Sequence, residues 1–326
     1  MKKNTRITGL DLAANYCGDR QPGDTMTYYQ CNMSQESAEM AAIFTGVQPD
    51  VILHCAGSAN VGASVVNPMA DLDGNLHSLY QLLLALKSFE KRPQIIFLSS
   101  AGIYGNPRQL PVRESDAAAP MSPYGLHKHM AEELCEYYNR IHGYRIRSIR
   151  IFSAYGNGLR KQLLWDIYQK YQNTGRIELF GTGDETRDFI HVSDIVRAIE
   201  LILAYDGPEN IINVANGEEV SIRELAEIYA GKLGADADVV SFNGMVKEGD
   251  PRNWRADISL LKRLGYEKHM ALSDGIEAMW NGRENRSSRR LAGGETWQRK
   301  KKAPGDFVYL QQTGAHQTHH RSAGEK

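Results

Sequence analysis

Short runs rich in β-branched and aromatic residues alternate along the chain with longer stretches in which apolar residues return every three or four positions. The runs are 51–57 (VILHCAG), 94–100 (QIIFLSS) and 145–152 (RIRSIRIF), each with the length and composition of a strand. Between them, 35–47 (QESAEMAAIFTGV) carries apolar residues on one helical face before Pro49 and Asp50. Segment 71–91 repeats Leu76, Leu79, Leu83 and Leu86, and 125–142 continues with Met130, Leu134 and Tyr138, spacings that give each helix one apolar stripe. Strands joined by helical crossovers predict an α/β protein with a doubly wound parallel sheet, whose ligands sit beyond the carboxyl ends of the strands.

After Phe152 the pattern changes. A helix over 159–173, a glycine-rich connection (GTGDETRD), a strand and helix over 189–204, a strand over 211–215 and a helix opened by Ser221 follow in turn. Ser221 with Glu224 three residues on reads as a capping box. This predicts a sheet domain over 1–155 and a smaller C-terminal substrate-binding region over 156–282, with 187–215 returning to the main sheet. Residues 283–326 show neither periodicity nor spaced apolar anchors, and the expectation there is a disordered basic tail.

Composition sharpens this division. The tail holds 10 Lys or Arg against 4 acids, which leaves 28 basic against 35 acidic residues in 1–282. An acidic body gives no reason to expect a nucleic-acid partner. No apolar run reaches the roughly 18 residues of a membrane helix, and the opening residues lack the apolar stretch of a secretory signal. A cytoplasmic location is expected. Cys17, Cys31, Cys55 and Cys135 are scattered without CxxC spacing, so neither a metal site nor a disulfide framework is expected.

The strongest chemical constellation is Ser100, Tyr124 and Lys128. A hydroxyl closes a strand, and a Tyr-x-x-x-Lys then places two side chains on one helical face, one turn apart. A phenol near pKa ~10 must fall by about three units, or ~4 kcal/mol, to act as a base at neutral pH. A lysine ammonium ~4 Å away, at an effective dielectric of ~20, supplies roughly that amount. Ser100 would donate a hydrogen bond to the oxygen whose proton Tyr124 takes.

In this setting HCAGSANVGASVVNP, FLSSAGIYG, SPYGLHK, RIFSAYGNG, TRDFIHVSDIVRAI, INVANG and GDPRNWRADIS occur in order. The chain over roughly 7–280 resembles the extended short-chain dehydrogenase/reductase superfamily, specifically its NAD-dependent epimerase/dehydratase family. The resemblance implies a Rossmann-like domain that binds NAD, a nucleoside-diphosphate sugar as substrate, and a homodimer. It assigns catalysis to Ser100, Tyr124 and Lys128, the lysine also holding the cofactor ribose. Asp11 matches the acid that holds the adenosine ribose, and no Arg in the following AANY awaits a 2′-phosphate, which favours NAD over NADP. Asn32 stands where an Asp usually accepts from adenine. Cys55, Ala56 and Gly57 match the strand-end turn along the cofactor, Asn75 a helix residue on the nicotinamide side, and Phe152 the next strand end. On the substrate side the resemblance points to Ser100, Ser153, Arg187, Lys247 and Asp250, with Arg187 suited to a diphosphate. His191 reads as a packed strand histidine.

Departures from the family pattern narrow the chemistry. Family dehydratases follow the catalytic hydroxyl with an acidic pair, whereas Ala101 and Gly102 stand here. Elimination of water loses its acid. The expected reaction is NAD-dependent epimerisation of a nucleotide sugar, as in UDP-glucose 4-epimerases, through a transient keto-sugar; the alternatives are a 4-keto-sugar reductase and a truncated, non-catalytic nucleotide-sugar-binding remnant. The family's opening strand and GxxGxxG, whose glycines admit the pyrophosphate to a helix N-terminus, are absent. About thirty residues are missing by this comparison, and loss of two or three amide contacts at ~1.5–3 kcal/mol each would weaken NAD by 10²-fold or more. The sheet is expected to open at its centre.

Overall fold

The computed structural model of the protein describes residues 6–12, 26–245 and 251–279, together with the backbone of 307–310. The chain begins with β1 (Ile7–Asp11) and β2 (Met26–Gln30), then α1 (Ser37–Val47) and β3 (Val51–His54). Two short helices, α2 (Val61–Val66) and α3 (Pro68–Leu72), lead through one π turn at Asp73–His77 into α4 (Ser78–Ala85). The stretch expected as one helix over 71–91 is thus locally widened, a distortion that re-aims side chains inside a helix.

β4 (Gln94–Ser100), α5 (Pro123–His142), β5 (Arg145–Ile151) and β6 (Ser153–Tyr155) follow, then α6 (Gln162–Thr174) and β7 (Ile177–Leu179). The remaining elements are β8 (Thr186–Arg187), β9 (Phe189–His191), α7 (Val192–Ala204), β10 (Ile211–Val214), β11 (Val220–Ser221), α8 (Ile222–Lys232), β12 (Val240–Phe242), α9 (Ser259–Arg263) and β13 (Phe307–Leu310). Ser221 caps α8 by accepting from the Glu224 amide at 3.0 Å, as its sequence pattern predicts.

Seven strands form one parallel sheet in the order β10-β5-β4-β3-β13-β1-β2. The doubly wound architecture is therefore as expected, with two corrections. The expected opening between β1 and β3 is closed, because β13 lies between them, Phe307 opposite both Ile7 and Val51 and Leu310 opposite both Leu10 and His54. The basic tail is likewise ordered at these four residues. Phe-Val-Tyr-Leu has the aromatic and β-branched content that strands favour, and a slot between β1 and β3 lets the segment pair along both of its edges. Four residues are too few for periodicity to reveal.

Apolar packing divides into three clusters. Leu10, Phe44, Ile52, Leu79, Leu83, Ile95, Cys135 and Ile146 join one sheet face to α1, α4 and α5. Ile96, Ile149, Ile195, Ile202, Ile212 and Leu261 join the other face to α7 and α9. The third cluster unites α6, β7 and α8 with Ile276 and Met279 and lies apart from the seven-stranded sheet. β5 carries Arg147 and Arg150 into the interior, both 4% exposed. Arg150 is neutralised by a two-pronged pair with Glu132 of α5, Nη2 donating at 2.7 Å and Nε at 3.0 Å.

Candidate active site

The carboxyl ends of β3, β4 and β5 and the amino end of α5 meet at one place. Ser122 starts α5, its Oγ accepting from the Gly125 amide at 3.2 Å, and Pro123 occupies the first turn, where its missing N–H costs nothing. Tyr124 is thereby fixed on the opening turn, with its own amide donating to Ser64 Oγ at 3.1 Å. Gly125 permits the approach of α5 to β4, because a Cβ there would lie 2.5 Å from the Gly102 carbonyl oxygen.

Ser100 closes β4, and its Oγ accepts from the Gly102 amide at 3.1 Å. The Ser100 and Tyr124 side chains flank the same glycine: a Cβ on Gly102 would stand 3.3 Å from Ser100 Oγ and 3.5 Å from Tyr124 Cε1. A Ser100 hydrogen bond favours the Tyr124 phenolate, yet burial, with a smaller push from Asp71, lifts the phenol to about 12. Lys128 donates from Nζ to the Leu98 carbonyl at 2.7 Å and lies over the Phe97 ring, 4.7 Å from its centroid. Burial brings the Lys128 ammonium down to about 8. The expected lysine-driven fall of the phenol is therefore not found: desolvation of the phenolate outweighs the Ser100 hydrogen bond that favours it.

β3 ends in Cys55, Ala56 and Gly57 against the π turn. Gly57 has φ +107°, and a Cβ there would meet Asn75 Oδ1 at 2.2 Å, so only glycine fits. Asn75 Nδ2 donates to Asp71 Oδ1 at 3.0 Å, to the Asp71 carbonyl at 3.1 Å and to the Ser58 carbonyl at 3.3 Å. Asn75 Oδ1 is buried without a partner. That orphaned acceptor and the Gly57 cradle fit a cofactor lying along this turn. Beneath them His54, held near 3 by burial and by Lys128, stays a neutral core group.

The other residues expected to hold the cofactor lie farther along the strand ends. Asp11 closes β1 at 6% exposure, and its carbonyl accepts from the Cys31 amide at 2.8 Å. Asn32 Oδ1 accepts from the Ser34 amide at 3.2 Å, so the carbonyl expected to face adenine already has one local donor. Phe152 is buried at the end of β5 between Tyr104 and Trp254, with ring centroids 6.2 and 5.9 Å away. Ser153 lies on β6, opposite Phe189. Arg187 stacks over Trp254 at 5.5 Å and donates from Nη1 to the Thr186 and Arg252 carbonyls at 2.7 and 3.2 Å. Lys247 and Asp250 lie outside the described residues. His191 is 6% exposed, with Nδ1 2.7 Å from Ser193 Oγ.

Two buried groups near the start of α5 have no counterpart in the sequence reading. Asp71 and His127 meet at 2.7 Å, Oδ2 to Nδ1, in the interior. His127 stands three residues after Tyr124 within SPYGLHK, which was a usable signal; its partner is 56 residues away and gave none.

Strand order, with a tyrosine and lysine one helical turn apart at a strand end, defines the class of extended short-chain dehydrogenase/reductase proteins. A model of the NAD dependent epimerase/dehydratase family matches residues 1–215, and the chain belongs to that family. It is 28% identical over 280 residues to the UDP-glucose 4-epimerase of Halalkalibacterium halodurans, covering 78% of this chain and 82% of that one. It is 27% identical over 248 residues to the GDP-6-deoxy-D-mannose reductase of Pseudomonas aeruginosa, covering 73% and 81%. A variant of UDP-glucuronic acid 4-epimerase from Bacillus cereus, solved with a fluorinated UDP-sugar and NAD, superposes with a TM-score of 0.73 at 25% identity over 80% of this chain and 82% of that one. The relatives are thus nucleotide-sugar epimerases and reductases of a family that uses NAD(H). No helix among the described residues is long and apolar enough to cross a membrane.

Proposed function

We propose that the protein is a nucleotide-sugar 4-epimerase that uses NAD, with a UDP-sugar as substrate and Tyr124 as the base. The observation that carries this reading is the convergence of Ser100 and Tyr124 on Gly102, beside the Gly57 cradle. Bound NAD supplies a hydride acceptor and donor and, when oxidised, a positive ring. Around it, Tyr124 Oη removes the proton of the sugar 4-hydroxyl and later returns it, while Ser100 Oγ steadies the same oxygen. Lys128 contributes positive charge and a donor to the cofactor ribose, Cys55, Ala56 and Gly57 line the turn beside it, and Asn75 Oδ1 accepts on the nicotinamide side. Asp11 takes the adenosine ribose hydroxyls, Asn32 lies toward adenine, and Phe152 closes the floor. The absence of Arg from the AANY segment favours NAD over NADP.

Arg187 suits the diphosphate, since a planar guanidinium presents several donors to phosphate oxygens, and Ser153 faces the sugar; Lys247 and Asp250 complete the substrate set by position in sequence. Ala101 and Gly102, which hold no proton to give, argue against dehydration. A cytoplasmic homodimer accompanies this reading. Leu126, Met130, Tyr137 and Ile141 form an exposed apolar stripe on α5, next to exposed Tyr80 and Leu84 of α4, and such a stripe is favourably covered by a second copy.

The test is NMR of UDP-glucose, UDP-glucuronate and UDP-N-acetylglucosamine incubated with the protein and catalytic NAD. Appearance of the 4-epimer without net cofactor consumption is the expected result. Stoichiometric oxidation of NAD(P)H by a nucleotide 4-keto-sugar would instead establish a reductase. Failure to bind NAD at millimolar concentration in calorimetry would leave the non-catalytic remnant.

A further inference from the structure

The first turn of α5 is held by a residue from outside the helix. A helix start leaves its leading N–H groups without intrahelical partners. In α5, Pro123 has no N–H to place, the Gly125 amide donates to Ser122 Oγ at 3.2 Å, and the Leu126 amide donates to the Ser122 carbonyl at 3.0 Å. The Tyr124 amide instead turns to another element, donating to Ser64 Oγ of α2 at 3.1 Å, from 60 residues earlier in the chain. Ser64 is 1% exposed, and its own hydroxyl donates to the Val61 carbonyl at 2.7 Å. On its β4 side the same turn is backed by the close approach of Gly125 to Gly102. Ser64 is the grip on the opposite side.

α2 is anchored at its other end as well. Asn60, which opens it, accepts from the Ala63 amide at 3.0 Å. The preceding Ala59 carbonyl accepts from Gln162 Nε2 at 3.1 Å. Gln162 is the first residue of α6, a helix packed in the third apolar cluster, apart from the seven-stranded sheet. Its φ of +65° lies in the left-handed region that residues with a side chain disfavour, and the strained residue is the one whose side chain reaches across. A continuous series of contacts thus runs from α6 through Ala59, Asn60 and Ser64 to the proposed base.

We propose that α2 is a strut that sets the position of Tyr124, with Ser64 as a positioning residue for the phenol and Gln162 making that position depend on where α6 stands. This rests on the epimerase reading for the role of Tyr124, but not for the existence of the strut. Neither Ser64 nor Gln162 touches the reacting atoms in this scheme. Proton transfer tolerates little misplacement, so slack at the start of α5 lowers turnover without loosening the ligands.

The test measures epimerisation, by the NAD-loaded protein, of whichever it converts among UDP-glucose, UDP-glucuronate and UDP-N-acetylglucosamine. Ser64→Ala should lower kcat about tenfold while KM changes by less than about twofold, and Ser64→Thr, which keeps the hydroxyl, should restore most of the loss. Asn67→Ala is the control for a merely structural role: it removes the side chain that accepts from the Ala70 amide at the start of α3, and should lower the melting temperature while leaving kcat in place. Gln162→Ala should lower kcat about threefold alone and by no further factor beside Ser64→Ala, since both cut the same connection. Exchange of the Tyr124 amide with solvent deuterium gives a readout independent of turnover, faster in Ser64→Ala and, to a smaller degree, in Gln162→Ala. Single effects on kcat that multiply in the double variant, a Ser64→Ala loss that Asn67→Ala reproduces, or Tyr124 exchange unchanged in both variants would each overturn the proposal. Should Tyr124→Phe keep full activity, or no sugar be converted, the epimerase reading fails while amide exchange still decides whether the strut exists.

Discussion

The two sides of the nucleotide crevice are built differently. On the proposed catalytic side, β4, α5 and β5 are seven, twenty and seven residues long, in sequence order and cross-tied by Arg150, Glu132, Tyr104 and Asn213. Arg150 Nη1 donates to Tyr104 Oη at 2.9 Å, and Tyr104 Oη donates to Asn213 Oδ1 at 2.7 Å. On the adenosine side, β1 and β2 have five residues each and reach the rest of the sheet through the four-residue β13. The contrast teaches that the proposed reacting groups stand on the self-sufficient half, whereas the proposed adenosine side is joined to the sheet through a strand from far along the chain.

The largest effect expected from breaking this arrangement is chemical. Tyr124→Phe should lower turnover by about 10³-fold, the scale of a lost general base, while thermal unfolding stays nearly unchanged. Equal losses of activity and stability would show that the tyrosine serves packing instead. Next, Glu132→Ala leaves the Arg150 guanidinium buried without its carboxylate and should cost about 3–5 kcal/mol in denaturant unfolding. An unchanged midpoint would mean that the catalytic half does not depend on this tie.

On the other half, Val308→Pro removes a ladder donor from a strand flanked on both sides. A loss of about 3 kcal/mol is expected, with NAD affinity falling more than UDP-sugar affinity in parallel calorimetric titrations. Equal weakening of both ligands would erase the distinction between the halves. The smallest effect belongs to their border: Gly57→Ala, strained at φ +107° and crowded against Asn75, should cost about 1–3 kcal/mol and weaken NAD more than it lowers the unfolding temperature.

This contrast also marks how far sequence reasoning reached. Ser100, Tyr124 and Lys128 were legible because strand period, helix period and a capped turn place them without long-range information. The alternation of strands and helices likewise gave the parallel sheet. β13 was not legible, since four residues between basic stretches carry no period, and a slot between β1 and β3 is visible only in three dimensions. The Tyr124 environment was misjudged for a related reason: pairwise attraction can be estimated from helical spacing, but the desolvation that raises the phenol needs the depth of the whole site. Asp71 and His127 approach only because α3 packs against the start of α5, and the π turn between Asp73 and His77 cannot be read from leucine spacing.

A polypeptide leaves the ribosome amino end first, and β13 is the last segment of this sheet to be made. Ile7 must wait for Phe307, so β1 and β2 stay unjoined to the rest of the sheet while every residue between them and β13 is translated, with two strand edges open to other nascent chains. Completion of the sheet consequently follows translation of β13 rather than of the strands it joins, a delay that leaves the edges of β1 and β3 open to strand exchange between neighbours on one polysome.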